Sequence, residues 1–196
     1  MNVSPITLEG THVRLEPLAL KHADDLFSMS RSPELWEFLI AAPIQTLEQM
    51  QSWIEKAVKQ TEAHTQIWFA IIRQVDHRAV GVTSFLNISQ ADRGLEIGGT
   101  WLSTEVWRTA SNTECKYLLL RHAFETLGCI RVQLKTDERN LRSQNAIARL
   151  GAVKEGVLRK YQVTHTGHQR NTVMFSIIDS EWSVVKARLE GMLNSQ

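Results

Sequence analysis

The spacing of hydrophobic residues changes repeatedly along the chain, and these changes predict a succession of strands and helices. His12 to Glu16 alternates polar and apolar residues, as a strand does, whereas Leu20 to Ser30 places its apolar residues on one helical face. Thr46 is a predicted N-cap with Gln49 three positions later, and helical spacing follows. We therefore expect a strand, a helix, and a second helix over about 46–63.

The middle of the chain has the pattern of an antiparallel meander. Ile67 to Ile72 and Val80 to Ile88 are rich in β-forming residues, and Asp76-His77-Arg78 between them is typical of a hairpin turn. Leu95 to Leu102 follows as a third strand. We expect these strands to be neighbours in one sheet.

The second half returns to alternating helices and strands. Asn112 to Leu127 is apolar almost all round, which predicts the most buried helix, and Gly128 marks its end. The alternation then predicts, in order, a strand, a helix, a hairpin of two strands around Gly167 and an amphipathic terminal helix: Ile130–Thr136, Asn140–Leu150, Arg159–Val163 with Asn171–Ile178, and Ser180–Leu193. No linker or repeat divides the chain, so we expect one domain over 1–196, of the mixed α+β class.

Composition excludes several classes of protein. The chain has 196 residues with 22 Lys+Arg and 21 Asp+Glu, a formal charge of +1, which argues against a dedicated nucleic-acid binder. The longest apolar run, Trp68 to Ile72, is far shorter than the roughly 20 residues of a membrane-spanning helix. Met1 to Thr11 lacks the pattern of a secretory signal. We therefore expect a cytoplasmic globular protein with no membrane partner.

The cysteines and histidines offer little chemistry of their own. Cys115 and Cys129 are the only cysteines, and both lie in apolar segments, so we expect buried free thiols rather than nucleophiles. His165 and His168 lie close together but have no third ligand nearby. We expect no metal site.

The segment Trp107 to Glu114 joins a strand to the predicted buried helix. The first turn of a helix presents unpaired N–H groups and the positive end of the helix dipole, which suits phosphate. Arg108 adds a permanent charge, and Ser111 and Thr113 add hydroxyl donors. The alternative is plain helix capping by the residues that commonly cap helices, Thr109, Ser111 and Asn112.

Taken with its surroundings, this loop belongs to a wider pattern of landmarks. Its short segments are, in order, Leu95-Glu-Ile-Gly, Trp-Leu-Ser103, Trp107 to Glu114, Arg131-Val, Asp137 to Ser143, Arg149-Leu-Gly151 and Glu155 to Arg159. This order of segments resembles the GNAT superfamily of N-acetyltransferases, and most closely its RimJ/RimL-like branch. The resemblance extends over nearly the whole chain. It implies a twisted, mostly antiparallel mixed sheet flanked by helices, acetyl-coenzyme A in a cleft where two strands splay apart, and direct acetyl transfer to an amine.

The resemblance assigns coenzyme contacts to specific residues. They lie at the end of one strand and along the loop that follows: Trp101, Leu102, Trp107, Arg108, Thr109, Ala110, Ser111, Asn112 and Thr113. Ala110 stands where most relatives have glycine, and Asn112 where they have glycine or alanine. This departure motivates a hypothesis from a different class, a non-catalytic acyl-coenzyme A-binding or sensor protein.

Asn140 and Ser143 match the Asn-x-x-Ser of the family at the start of a helix. The resemblance implies that the Asn140 side chain lies along the pantetheine arm and that the Ser143 hydroxyl reaches the thioester sulfur. Positions three apart share a helical face, which agrees with this interpretation. The alternative is again a cap, in which Asn140 begins the helix and Ser143 bonds its own backbone.

Glu96 is the candidate proton acceptor, acting directly or through a water. It lies on the strand that borders the cleft, where Gly98-Gly99 predicts a β-bulge able to splay strands and re-aim side chains. The alternative is a structural carboxylate that is solvated or ion-paired.

The leading hypothesis is therefore an N-acetyltransferase that works on a primary amine, of a protein N-terminus or a small molecule, in a ternary complex without an acyl-enzyme. We expect an amine of low pKa, a monomer or homodimer, and specificity set by Leu20 to His64 and the hairpin near Gly167. A third hypothesis is a partner-binding module that uses the exposed face of the terminal helix, at Lys186, Arg188 and Glu190.

Overall fold

The computed structural model describes residues 1–195, and one mixed eight-stranded sheet forms its centre. The strands are β1 (Leu8–Glu9), β2 (Val13–Pro17), β3 (Ile67–Arg73), β4 (Ala79–Ser89), β5 (Gly94–Leu102), β6 (Arg131–Asp137), β7 (Val153–Val163) and β8 (Gln169–Ile178). Their order is β1-β2-β3-β4-β5-β6-β8-β7, and only β5 and β6 pair in parallel. The predicted α+β class and the antiparallel meander of β3, β4 and β5 are confirmed.

Within residues 1–195, five α-helices cover the two faces of this sheet: α1 (Ala23–Ser30), α2 (Leu47–Glu62), α3 (Ala110–Arg121), α4 (Leu141–Leu150) and α5 (Trp182–Asn194). Helix α2 begins as predicted, because Thr46 Oγ1 accepts a hydrogen bond from Gln49 N at 3.2 Å. The predicted helix Asn112–Leu127 begins two residues earlier and is not α-helical throughout, since a π-helical turn, His122–Thr126, follows α3. None of the helices in residues 1–195 is long and apolar enough to span a membrane.

Each face of the sheet has its own hydrophobic core. Leu119 of α3, Leu150 of α4 and Leu189 of α5 pack on one face, together with side chains such as Val132 and Phe175. On the other face, Leu26 of α1 and Met50 and Ile54 of α2 pack against Ile72 and Val82. The sheet is therefore covered on both sides, which is expected where strands are apolar on both faces.

The strand β7 corrects one prediction. It begins at Val153, six residues before the predicted Arg159, and it lies at the edge of the sheet. Most of its side chains are exposed, so the buried alternation that marks a strand is absent from its sequence. The hairpin of β7 and β8 around Gly167 is confirmed.

Helix α3 is tied to the start of the sheet by a buried carboxylate. Glu114 accepts hydrogen bonds from the backbone N–H groups of Thr11, His12 and Val13 at 2.8, 2.6 and 2.7 Å. These bonds satisfy two donors of the turn before β2 and the first donor of β2 itself, which lies against α3. The anchor fixes the position of the helix whose N-terminus forms part of the site described next.

Candidate functional site

A gap separates β5 from β6 along part of their length. The two strands pair only between Gly94–Glu96 and Arg131–Gln133, and no pairing continues beyond Glu96. A cavity of about 890 Å³ occupies this region. Its walls include the N-termini of α3 and α4, the parts of β5 and β6 beyond their pairing, and the largely apolar segment 34–44 between α1 and α2. The splayed strands that the resemblance implies are therefore present.

The predicted bulge in β5 helps to form this gap. Ser84 pairs with Gly98 and Val82 with Trp101, so Gly99 and Thr100 together lie opposite Thr83. Gly99 has φ +60°, in the left-handed region that favours glycine. A Cβ at Gly99 would lie 2.6 Å from the Trp68 ring. The bulge expected at Gly98-Gly99 is confirmed, and it requires glycine for both conformation and space.

The first turn of α3 borders one end of the cavity. Thr109 is its N-cap, with Oγ1 accepting from Ser111 N at 3.2 Å, and Arg108 before it has φ +63°. A non-glycine residue in this region is uncommon and often belongs to a ligand-binding loop. The side chains of Trp107, Arg108, Thr109 and Asn112 line the cavity.

Three residues of the predicted coenzyme loop do not line the cavity, and their contact with a coenzyme stays a prediction. Ala110, Ser111 and Thr113 are buried and lie outside the cavity wall. Thr113 Oγ1 accepts a hydrogen bond from Arg149 Nη2 at 3.0 Å, so this hydroxyl faces α4. What these residues can offer a ligand is the N–H groups of the first helical turn, rather than side-chain hydroxyls.

The first turn of α4 forms a neighbouring part of the wall. Asn140 is its N-cap and accepts from Ser143 N at 2.9 Å, so the capping contact is present. Both residues also line the cavity, and within residues 1–195 the Ser143 hydroxyl has no hydrogen bond of its own. The Arg142 guanidinium lies 3.6 Å from the centre of the Trp107 ring, a cation–π contact.

Cations gather near the first turn of α3. Arg108 precedes this turn, Arg142 lies in the first turn of α4, and Arg149, in the last turn of α4, reaches Thr113; all three arginines line the cavity. Sequence reasoning found only Arg108. Arg142 and Arg149 are seven positions apart and so share a face of α4, a signal that was present in the sequence. Three guanidinium groups beside a helix N-terminus suit a polyanionic ligand such as a pyrophosphate.

Glu96 lies in the cavity wall and is almost fully buried, with 1% of its surface exposed. Asn87 Nδ2 and Gln133 Nε2 each donate to Glu96 Oε2 at 2.9 Å, and Lys135 Nζ lies 3.1 Å from Oε1. The carboxylate is thus ion-paired and also faces the cavity, so the structure contains features of both sequence interpretations. Its role as a proton acceptor stays a prediction.

A buried cation was missed by sequence reasoning. Lys116 of α3 lines the cavity, is buried, and donates from Nζ to Thr100 Oγ1 at 2.6 Å. Burial lowers the pKa of Lys116, because the charged form loses hydration. The same helix also contains Glu114 and Arg121, so its sequence alone does not single out Lys116.

The far wall of the cavity is aromatic. Trp36, Trp53, Trp68 and Trp101 form a chain of ring contacts: the centroids of Trp36 and Trp101 are 5.9 Å apart, those of Trp53 and Trp101 5.6 Å, and those of Trp53 and Trp68 5.3 Å. All four rings line the cavity, as does Leu102. Trp101, predicted to bind coenzyme, therefore places its ring on the side of α1 and α2.

The two cysteines lie in the core, as predicted. Burial raises the pKa of Cys115 and of Cys129 to about 11, so each stays a thiol at neutral pH. Within residues 1–195, no group of three or more His, Cys, Asp and Glu side chains is placed to hold a metal ion.

Comparisons with known proteins define the class of this fold and site. Residues 12–153 match the model of the acetyltransferase (GNAT) domain, and the chain belongs to this family. The family expectation is confirmed.

Individual relatives agree with this assignment. A solved structure from T. thermophilus, provisionally described as an acetyltransferase, is 41% identical, has a TM-score of 0.89, and covers 98% of this chain and 100% of its own. Uncharacterized N-acetyltransferase p20 of Bacillus licheniformis is 25% identical over 90% of this chain and 98% of its own. Mycobacterium smegmatis RimJ, solved in complex with CoA-disulfide, has a TM-score of 0.84 at 19% identity, covering 96% and 95%. RimJ thus shares the fold.

Proposed function

We propose that the protein transfers the acetyl group of acetyl-coenzyme A directly to a primary amine in a ternary complex. The observation that carries the proposal is the continuity of the cavity, which borders the N-termini of α3 and α4, Glu96 and the aromatic wall. A donor and an acceptor in one cavity can react without a covalent enzyme intermediate, because each is held beside the other.

The residues at the starts of α3 and α4 fit the coenzyme. The N–H groups of the first turn of α3, together with Arg108, Arg142 and Arg149, provide donors and positive charge for the phosphates. Ala110, at a position where most relatives have glycine, is buried outside the cavity wall, so its methyl group does not obstruct the cavity. This placement favours coenzyme binding despite the variant loop.

When bound, acetyl-coenzyme A supplies an acyl group activated as a thioester. The amine must lose a proton as its nitrogen bonds to the acyl carbon, and Glu96 is the group we assign to accept that proton, directly or through a water. The carbon–sulfur bond breaks, and the sulfur leaves with the electron pair and takes up a proton. The Ser143 hydroxyl is the donor that we assign to the sulfur.

Two measurements on one protein preparation test this proposal against the alternative of a non-catalytic binding protein. Acetyl-coenzyme A should raise the melting temperature, because a ligand that binds only the native state stabilises it by about 2.7 kcal/mol at a hundredfold excess over Kd. An amine panel should then release free thiol. Binding without thiol release would favour the sensor hypothesis.

Arg108→Ala provides the residue-specific arm of this test. It should weaken coenzyme binding in calorimetry, whereas Arg188→Ala, at an exposed position on α5, should bind as the parent does. Absence of both a thermal shift and calorimetric heat at millimolar coenzyme would refute the proposal.

A further inference from the structure

Buried polar atoms without a hydrogen-bond partner gather on one face of the β7–β8 hairpin. In the part of the chain that the structure describes, residues 1–195, these side-chain atoms are Gln162 Oε1, Arg170 Nε and Thr172 Oγ1. Gln162 and Arg170 are paired across the two strands, and Thr172 is two positions further along β8, so all three share a face. Unpartnered buried polar groups are costly, and a cluster of them points to a ligand.

Arg170 is the charged member of this cluster. Its side chain is only 8% exposed, and its Nε lies 3.8 Å from Asp137 Oδ2, beyond hydrogen-bond distance. Asp137 instead accepts from Arg139, at 3.0 Å from Nε and 2.7 Å from Nη2. Burial lowers the pKa of Arg170, because the charged guanidinium loses hydration. The nearest carboxylate is thus already engaged by another arginine.

The surrounding carboxylates leave the Arg170 guanidinium without a hydrogen-bonded partner. Lys135 is paired with Glu96, and Arg139, which is 48% exposed, contacts both oxygens of Asp137. Arg170 is thus a buried cation whose nearest carboxylate lies beyond hydrogen-bond distance. A negatively charged ligand group would supply the missing hydrogen bonds at lower desolvation cost than leaving the guanidinium unpaired.

This patch faces the same cavity as the proposed reaction site. Arg170, Lys135 and Glu96 all line the cavity, and the Glu96 charge acts on Arg170. Another part of the cavity wall is formed by apolar and aromatic side chains, among them Trp36, Phe38 and Trp53, and the Phe38 ring lies next to the Arg139 guanidinium. The backbone N–H of His165, in the turn of the hairpin, donates to Ile40 O at 2.9 Å, which joins the hairpin to this wall.

We propose that the acceptor is an amino acid with a large apolar side chain, whose carboxylate binds the Arg170 guanidinium. The inference rests on the proposed acetyl transfer and names its acceptor. A guanidinium matches the planar, two-oxygen geometry of a carboxylate, which would supply the hydrogen bonds that Arg170 lacks. The aromatic wall takes the apolar side chain, and the amine faces Glu96.

Matched acceptors provide the first test. L-phenylalanine, L-phenylalaninamide and 2-phenylethylamine share the aromatic ring and the amine, and only the first carries a carboxylate. With the parent protein, the KM measured by thiol release should be lowest for L-phenylalanine. The KM for L-alanine should be higher, because its methyl side chain makes little apolar contact. An equal or lower KM for 2-phenylethylamine, or a preference for a phosphorylated amine, would overturn the proposal.

Arg170→Gln is the decisive variant, with Arg159→Gln, at an exposed position of β7, as its matched control. Loss of a charged hydrogen-bond partner should raise the KM for L-phenylalanine at least tenfold and leave the KM for 2-phenylethylamine within about twofold. Arg159→Gln should change neither. An equal rise in the KM for both amines, or weaker binding of acetyl-coenzyme A in calorimetry, would show that Arg170 does not bind the acceptor carboxylate.

Two further measurements keep this test separate from folding and from the proposed function. Arg170→Lys retains the charge without the planar fork and should show a smaller rise in KM, while melting curves report whether each variant folds. N-acetyl-L-phenylalanine, which needs no turnover, should quench the tryptophan fluorescence of the parent and bind at least tenfold more weakly to Arg170→Gln. Equal binding would overturn the proposal, whereas absence of thiol release with every amine would overturn the proposed function instead.

Discussion

At the scale of single residues, Glu96 combines two features: its carboxylate is ion-paired, and we propose that it accepts the proton of the amine. Lys135 forms an ion pair with the carboxylate, and Asn87 and Gln133 each donate a hydrogen bond to it. These contacts hold the side chain in place against the cavity. A base of this kind would work best on an amine that is partly neutral near pH 7. An α-amino group, with a pKa of about 7.7–8.0, is partly neutral near pH 7, whereas a lysine side chain, with a pKa near 10.4, is almost entirely charged.

Glu96→Gln tests this role. General-base help is typically worth about 10²–10⁴-fold, so turnover at neutral pH should fall at least tenfold and recover in part at high pH, where more of the amine is neutral. Glu155→Gln is the control, because Glu155 is also ion-paired, to Arg131, and lies outside the cavity. A pH–rate profile identical to that of the parent would make Glu96 a structural carboxylate.

Among the structural elements, β5 depends most on a single residue. Gly99 adopts φ +60°, and Trp68 leaves no room for a Cβ there. A Cβ on Gly94 in the same strand would lie 3.5 Å from its nearest neighbouring atom, which is an ordinary contact. The bulge therefore has a steric requirement that the rest of the strand lacks.

Gly99→Ala should lower the free energy of unfolding by at least about 1–2 kcal/mol, the cost of placing a side chain in the left-handed region. Gly94→Ala should change it by less than half of that amount. Urea denaturation measures both. Equal effects of the two substitutions would mean that the conformation of the bulge is not what makes glycine necessary at position 99.

The junction of β2 with the 3-10 turn before α1 supplies a pH-dependent contact. Burial raises the pKa of Glu16, but hydrogen bonds from Lys21 and His22 outweigh it, and the pKa falls to about 2. A carboxylate whose pKa is lower in the folded state stabilises the fold above its unfolded pKa, near 4.5, and loses this contribution as pH falls toward 2.

Glu16→Gln should therefore lower the melting temperature at pH 7 and flatten its decline between pH 4.5 and 2. Thermal melts across this range, with Glu55→Gln at an exposed position of α2 as control, measure the difference. If the melting temperatures of Glu16→Gln and the parent declined by the same amount between pH 4.5 and 2, the stabilising contribution assigned to Glu16 would be contradicted.

The elements that could be predicted from sequence are those set by local signals. The Thr46 cap and the glycine bulge act within a few residues, and both are where the pattern indicates. The early part of β7 was missed because an exposed edge strand needs no alternation, and β1 because two residues carry no period. Arg170 and Lys116 could not be assigned, since their meaning depends on strands and helices brought together from distant segments.

At the scale of the whole molecule, one cavity joins the N-termini of α3 and α4, where we propose that the coenzyme phosphates bind, to an aromatic end. Sequence patterns reveal the helix N-termini, but they do not reveal that tryptophans from separate segments of the chain meet at the aromatic end. In the proposed function, both substrates enter the gap between β5 and β6, and this arrangement is the basis for direct transfer.

Two-substrate initial rates test direct transfer most directly. Thiol release should be measured while acetyl-coenzyme A and the amine are varied independently. The account predicts intersecting double-reciprocal lines, because both substrates must be bound before reaction, and no acetylated protein in intact-mass spectra. Parallel lines, together with an acetylated form of the protein, would indicate a covalent intermediate and contradict the account.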